Sequence, residues 1–188
     1  KSGDTTVNDA TLNGAYANFE NNSFQANLGS AQASGISAAG TTIGSASGSN
    51  LNASGSLSGP FKGSADAESL RAQNISSNDV NIGAIEAGGL SAQSDGNTTK
   101  ASISSASGQN IGIDNGNIDS AALNSLNLQA DKNGVSGNLA SANVQGLDID
   151  GVANVEKIEA SGLSGSANAS NQNLDIDSSI FAKIKYID

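Results

Sequence analysis

The stretch DKNGVSGNLASANVQGLDIDG, residues 131–151, contains the pattern that decides the fold. It begins with the turn-forming Asp131–Gly134 and ends with Asp150 and Gly151, since Asn and Gly supply the positive φ angles that tight turns need. Between these turns apolar and polar residues alternate in short runs, and the alternation changes parity twice. The apolar pairs are Val135 and Leu139, Ala142 and Val144, and Leu147 and Ile149. Period two predicts β-strand.

The same spacing recurs along much of the chain. Turn clusters also lie at Asp95–Asn97 and Asp114–Asn117, so turns follow one another about every 18 residues. Residues 73–108 align with 109–144 at a shift of 36, with eleven identical pairs where about four are expected by chance. We therefore expect one β-rich domain over 1–188, with a less regular part at 1–72, a hairpin near 15–28, repeats of about 36 residues over 73–180 and a terminal strand at 180–188.

Two all-β architectures fit this spacing. In a β-solenoid, each interval of about 18 residues between turns is one coil, and the changes in parity are the corners of that coil. In an elongated antiparallel β-meander, each such interval is one long strand with hairpin turns at its ends. The parity changes favour the solenoid. Residues 64–72 are the best candidate for a helix, of one or two turns.

The composition excludes most catalytic classes. The chain contains no His, Cys, Met or Trp, so imidazole and thiol chemistry and the usual transition-metal ligands are missing. Its net charge is −10, with only eight Lys and Arg together, which argues against a nucleic-acid partner. No apolar run is long enough for a transmembrane helix. We predict no enzymatic activity, no catalytic residue and no small-molecule ligand.

Oxygen-rich positions raise the question of calcium. Asp148 with Asp150, and Asp175 with Asp177, place carboxylates two positions apart on a strand, a pattern that can hold Ca²⁺. A third oxygen-rich loop contains Asp114, Asn115, Asn117 and Asp119. A solvated strand face with ordinary turns explains the same residues, and known calcium-loop spacings are missing. We therefore predict no cofactor, with calcium as the minor hypothesis.

The aromatic and large apolar residues gather near the two ends of the chain. Exposed apolar strands at the ends of a β-repeat protein can pair with another chain. The predicted assembly residues are Tyr16, Phe19, Phe24, Ile180, Phe181, Ile184 and Tyr186.

Two resemblances to known protein families follow, one from short sequence segments and one from composition. Leu57–Ala65 and Gly137–Val144 resemble the loose β-repeats of the AsmA/TamB bridge-like proteins, over about residues 50–180. That resemblance implies an open, apolar-lined groove for lipid. The chain rich in Asn, Ser, Ala and Gly also resembles bacterial extracellular fibre subunits and adhesin repeat proteins, a likeness that implies no particular site residue.

Three functional hypotheses result. The first is a non-enzymatic structural subunit of an extracellular fibre, biofilm matrix or cell-surface assembly, in which copies self-associate into a homopolymer by strand addition. The second is a lipid or hydrophobic-ligand conduit of AsmA/TamB type, and the third is an adhesin stalk. For the first we expect an extracellular or cell-surface location on a prokaryote, after removal of a leader.

Overall fold

A computed structural model describes residues 5–56, 58–168 and 174–185; within 174–185 it describes the backbone and, of the side chains, only Ser179. These residues form eleven β-strands and no helix. They are β1 (Asp9–Asn13), β2 (Tyr16–Glu20), β3 (Ser23–Ala38), β4 (Thr41–Ser56), β5 (Lys62–Ser77), β6 (Val80–Ser94), β7 (Thr99–Ile113), β8 (Gly116–Asp131), β9 (Gly134–Ile149), β10 (Ala153–Asn168) and β11 (Leu174–Lys185). The all-β prediction is confirmed.

All strands belong to one open antiparallel sheet. β1 and β2 both pair with β3, and from β3 onward each strand pairs with the next one in the chain. The favoured solenoid is therefore wrong, because solenoid coils stack in parallel whereas successive strands here run in opposite directions. The interval of about 18 residues between turns is one strand of 15 or 16 residues together with its turn, as the meander interpretation predicted. The 36-residue spacing corresponds to two strands and two turns.

Short turns join the long strands. Asn21 and Asn22, both at positive φ, link β2 to β3, and Ala39 and Gly40 link β3 to β4 in the same way. Paired positive φ angles match the twist of a two-residue hairpin. The helix predicted over 64–72 is wrong, since these residues lie inside β5 and pair with both neighbouring strands.

The sheet is a single layer in the part of the chain that the structure describes. There each strand contacts only the strands with which it pairs, and no element covers either face. Among the side chains that the structure describes, Val155, which is 8% exposed, is the only buried large apolar one. The described residues contain no helix able to cross a bilayer.

Candidate functional site: an apolar trough

The two faces of the sheet differ completely in chemistry. We call the apolar face inward and the other outward. On strands β3 to β10, all of which the structure describes, the inward positions hold Ala, Gly, Val, Ile, Leu and Phe24. The polar exceptions lie at strand ends and are Thr41, Ser77, Ser94 and Thr99. The outward positions of these strands hold mainly Ser, Asn, Gln and charged residues, with no Val, Ile, Leu or aromatic side chain.

Two lines of left-handed residues cross the sheet along its length. The first corner line consists of Gly35, Asn74, Asn110 and Gly146, on β3, β5, β7 and β9. The second corner line consists of Gly14, between β1 and β2, and of Asn50, Gly89, Ser125 and Gly162, on β4, β6, β8 and β10. Their φ angles lie between 47° and 65°. Gly and Asn adopt this conformation most readily, which explains their regular placement.

Each corner changes the parity of its strand. In the pairing of β6 with β7, Ile82 lies opposite Ile111 and Ala84 opposite Gln109, and the ladder skips Gly83 and Asn110 between them. Gly83 and Ala84 therefore both face outward, and the apolar series resumes at Ile85. The parity changes read from the sequence are corners within long strands, not corners of a coil.

The corners bend the sheet toward its apolar face. A Cβ built on Gly48 would lie 3.3 Å from Leu51 Cδ1, and one on Gly108 would lie 3.1 Å from Ile111 Cδ1. Residues three apart in a regular strand point to opposite faces, whereas here the corner brings both to the apolar face, where they approach each other as side chains do on the inside of a bend. The sheet is thus a trough with a middle wall between the corner lines and two side walls.

Matching side chains line up along the trough. The isoleucine row lies on one side wall. It runs in register from Ile36 through Ile43, Ile75, Ile82, Ile111 and Ile118 and continues with Leu147 and Val155. The other side wall contains a leucine row beside the second corner line and an alanine row next to it. The leucine row is Leu28, Leu51, Ala67, Leu90, Ile103, Leu126, Leu139 and Leu163. The alanine row is Ala17, Ala26, Ala53, Ala65, Ala92 and Ala101.

The apolar face is far larger than a soluble monomer normally exposes. Strands β3 to β10, about 4.8 Å apart and about 16 residues long, give this side of the sheet a footprint of roughly 2,000 Å², of which its half-buried apolar side chains expose a part. Contiguous exposed apolar patches on monomers rarely exceed a few hundred Å². Several of its side chains are well exposed, including Ile85 at 40% and Ile113 at 43%. A face of this size and chemistry indicates a binding surface.

Polar groups on the outward face bond to one another. Asn127 Nδ2 donates to Asn138 Oδ1 at 3.1 Å, and Arg71 forms a 3.0 Å ion pair with Glu86 on the neighbouring strand. The ion pair is solvent-exposed, so it adds little to stability. A shallow concavity of about 560 Å³ lies over the outward face of β6 to β10. Its lining contains no aromatic side chain on which a sugar could stack, so the apolar face is the better candidate site.

One turn carries a perturbed carboxylate. Asp95, between β6 and β7, accepts hydrogen bonds from the backbone N–H groups of Thr98 and Asn97, both at 2.8 Å. These bonds, Thr98 first, lower the pKa of Asp95, and the charges of Lys62 and Lys100 act in the same direction. The arrangement stabilises the turn.

The residues of the calcium hypothesis lie far apart. Asp148 is opposite Asn154, at the start of β10, and Asp150 lies in the turn that follows β9. The backbones of Asp175 and Asp177 pair with Ser166 and Ser164, about 30 Å away along β10. The two pairs therefore cannot share one ion.

The third oxygen-rich loop, around Asp114 to Asp119, does not bring enough carboxylates together for a metal site. Asn117 Nδ2 donates to Asp119 Oδ1 at 3.5 Å, and Asp114 and Asn115 form the turn between β7 and β8. No group of three or more acidic side chains is close enough to hold a metal ion among the described residues.

The predicted assembly residues divide between the two edges of the sheet. Tyr16 and Phe19 lie on β2, with exposures of 58% and 65%, and Phe24 lies opposite Phe19 on β3. Phe19 and Phe24 face into the trough, whereas Tyr16 faces outward. The backbones of Ile180, Phe181 and Ile184 lie in β11, and their side chains, like all of Tyr186, lie outside the described residues.

The residues that build the trough were missed as a site by sequence reasoning. A usable signal existed in the corner residues, since Gln73-Asn74, Gln109-Asn110 and Gln145-Gly146 recur at a spacing of 36. No family model, curated protein or solved structure matches this chain at a significant level.

Proposed function

We propose that the trough is a lipid-binding groove whose inner surface holds aliphatic acyl chains. The observation that supports this most directly is the apolar face with a footprint of roughly 2,000 Å², bent inward at two corner lines and covered by no described part of the chain. Burial of such a surface against hydrocarbon is worth about 25 cal/mol per Å², so even partial coverage favours binding.

The chemistry of the lining favours a hydrocarbon chain over a protein partner. Protein interfaces are enriched in aromatic residues and Arg at their centre and contain directed hydrogen bonds. On β3 to β10 the inward positions contain one aromatic residue, Phe24, and no charged residue. The backbone N–H and C=O groups of the strands are engaged in the sheet ladder. The surface therefore offers dispersion contacts and hydrophobic burial, which suit an acyl chain.

A charge placed on either face of one strand tests the proposal. Ala65 faces the trough on the side wall beside the second corner line, and Ser64 faces outward next to it. Isothermal titration calorimetry with palmitic acid should show binding to the full chain after lipid removal. Ala65→Asp should weaken that binding at least tenfold, because a carboxylate would be desolvated under the chain. Ser64→Asp adds the same charge on the same strand and should leave affinity within about twofold.

Three results would contradict the lipid groove. One is the absence of palmitate binding to the wild-type chain. Another is equal loss of affinity in both variants, with circular dichroism confirming that both are folded. The third is a face-to-face dimer in light scattering that palmitate does not dissociate, since a second copy would then be the occupant.

The edge of the sheet supports a second candidate, the fibre subunit. Among the described residues, β1 and β2 pair with β3 and with no other strand, and Leu12 and Phe19 on them are 64% and 65% exposed. An edge of this kind can accept a strand from another copy. Analytical ultracentrifugation over a wide concentration range should then show open-ended association, and a monomer at every concentration would exclude this candidate.

A further inference from the structure

The side wall next to the second corner line contains a more specific feature than the trough as a whole. A concavity of about 610 Å³ lies over β3 to β7, between the alanine row and the leucine row. Its floor is Ala26, Ala53, Ala65, Ala92 and Ala101, which are paired in register across five strands. The intervening residues of each strand border it, and their side chains alternate to the outer face.

On the β7 side the concavity ends where the alanine row ends. The next residue in register after Ala101 is Leu128 on β8, and beyond it the row continues with Gly137 and Gly165. A Cβ added to Gly137 would lie 2.7 Å from Leu128 Cδ2, so the leucine side chain extends over the glycine of the next strand. From β2 to β10, Leu128 is thus the one large side chain in a row that is otherwise Ala and Gly, and the next residue in register after Gly165 is Ile176 on β11.

The dimensions suit one hydrocarbon chain. Four strand spacings of about 4.8 Å give the floor a length of about 19 Å. A zigzag chain with bonds of about 1.5 Å advances about 1.25 Å per carbon, so this length holds about 16 carbons. Since a core cavity of about 150 Å³ binds one benzene ring, 610 Å³ has room for roughly 24 carbons, enough for one such chain and too little for two.

We propose that this concavity is an acyl-chain subsite for a single unbranched saturated fatty acid, and that Leu128 sets the upper limit of chain length. The inference rests on the proposed lipid-binding function and adds to it a ligand class and a specificity-determining residue. Methyl-sized side chains along the floor leave space for the chain, and the isobutyl group of Leu128 blocks its path. Removing that group would join the floor to Gly137 and Gly165 and lengthen it by three strands.

A chain-length series tests the limit. Affinities of lauric, palmitic, stearic and behenic acids for the full chain are measured by calorimetry. Each methylene added within the floor should raise affinity by up to about fourfold, the equivalent of 0.8 kcal/mol per buried methylene. For the wild type the rise should stop near palmitic acid. In Leu128→Ala it should continue through behenic acid.

A matched pair of substitutions tests the location. Ala92→Leu places a large side chain in the floor, between Ala65 and Ala101, and should reduce palmitate affinity at least tenfold. Ala121→Leu makes the same change on the middle wall, where Ala121 lies opposite Gly108 and Val144, and should change affinity by less than twofold.

The failures of the two proposals are distinguishable. If no fatty acid binds the wild-type chain, the lipid groove itself is wrong. If fatty acids bind but affinity keeps rising past stearic acid in the wild type, or if Leu128→Ala leaves the profile unchanged, the subsite is wrong and the groove stands. Equal effects of Ala92→Leu and Ala121→Leu would also overturn the subsite.

Discussion

The corner pairs predict a specific double-mutant result. On the first corner line, Asn74, Asn110 and Gly146 each pack against a residue of the preceding strand, and one member of each pair is glycine. Asn110 on β7 packs against Gly83 on β6, where an added Cβ would lie 3.0 Å from Asn110 Cβ. The pair on β8 and β9 has the opposite arrangement, with Asp119 on β8 and the left-handed Gly146 on β9. A Cβ on Gly146 would overlap the carboxyl group of Asp119 and lie 2.9 Å from its Cβ.

The expected magnitudes follow from this geometry. Asn tolerates the left-handed region, so Gly146→Asn introduces little backbone strain, but it forces two side chains into one space at a cost of about 1–3 kcal/mol. Asp119→Gly in the same chain recreates the Asn110 and Gly83 arrangement and should recover most of that loss. The control is Gly162→Asn, at φ 63° with no atom of the described residues within 4 Å of the added Cβ, which should change stability by about 0.5 kcal/mol or less.

Urea unfolding followed by far-UV circular dichroism measures the stability of the wild type, Gly146→Asn, Asp119→Gly, the double variant and Gly162→Asn. A lower midpoint at unchanged slope reports a change in stability, and the double-mutant cycle should give a coupling of about 1–3 kcal/mol. The corner geometry would be refuted if Gly146→Asn and Gly162→Asn were equally stable, or if Asp119→Gly failed to rescue Gly146→Asn.

Three further outcomes follow from single positions. Ser125 occupies the left-handed region at φ 54°, so Ser125→Asn should raise stability by about 0.5–1 kcal/mol in the same urea assay. Ile118→Ala, in the half-buried isoleucine row, should cost more stability than Ile113→Ala at a position 43% exposed, and equal costs would contradict the assigned burial. Carboxyl NMR titration should place the pKa of Asp95 below that of unfolded Asp. The stabilisation of the folded chain by Asp95 is then full above about pH 4 and is lost as pH falls through the folded pKa. An unshifted pKa would contradict the turn geometry.

Much of the local structure was predictable from residue type and order. Asp131–Gly134 and Asp150 with Gly151 do separate strands, and between them the apolar residues of β9 alternate with polar ones within each segment between corners. The helix predicted at 64–72 was wrong. Ala and Glu favour a helix when taken one at a time. In the sheet, however, the alternation of Ala65 and Ala67 with polar residues, followed by Leu70 and Ala72, decides the structure.

The candidate site was less predictable, because its residues are unremarkable one at a time. Ala92 and Ala101 lie nine positions apart in sequence, and only the register of β6 with β7 places them side by side. The search for polar clusters at Asp148 and Asp175 could not find a surface whose defining property is the lack of polar groups. A row of alanines closed by Leu128 becomes visible only after the strands are paired.

The sequence by itself determined the strand class, the turn positions and the division of each strand into an apolar and a polar face, since these depend on side-chain alternation and on Asn and Gly at positive φ. The tertiary structure alone decided between solenoid and meander, because both place a turn about every 18 residues and differ only in which backbone groups pair. It also decided the direction of bending. Left-handed corners on alternate strands must line up across the sheet before the apolar side chains converge, and that alignment depends on hydrogen bonds between residues that are distant in the chain.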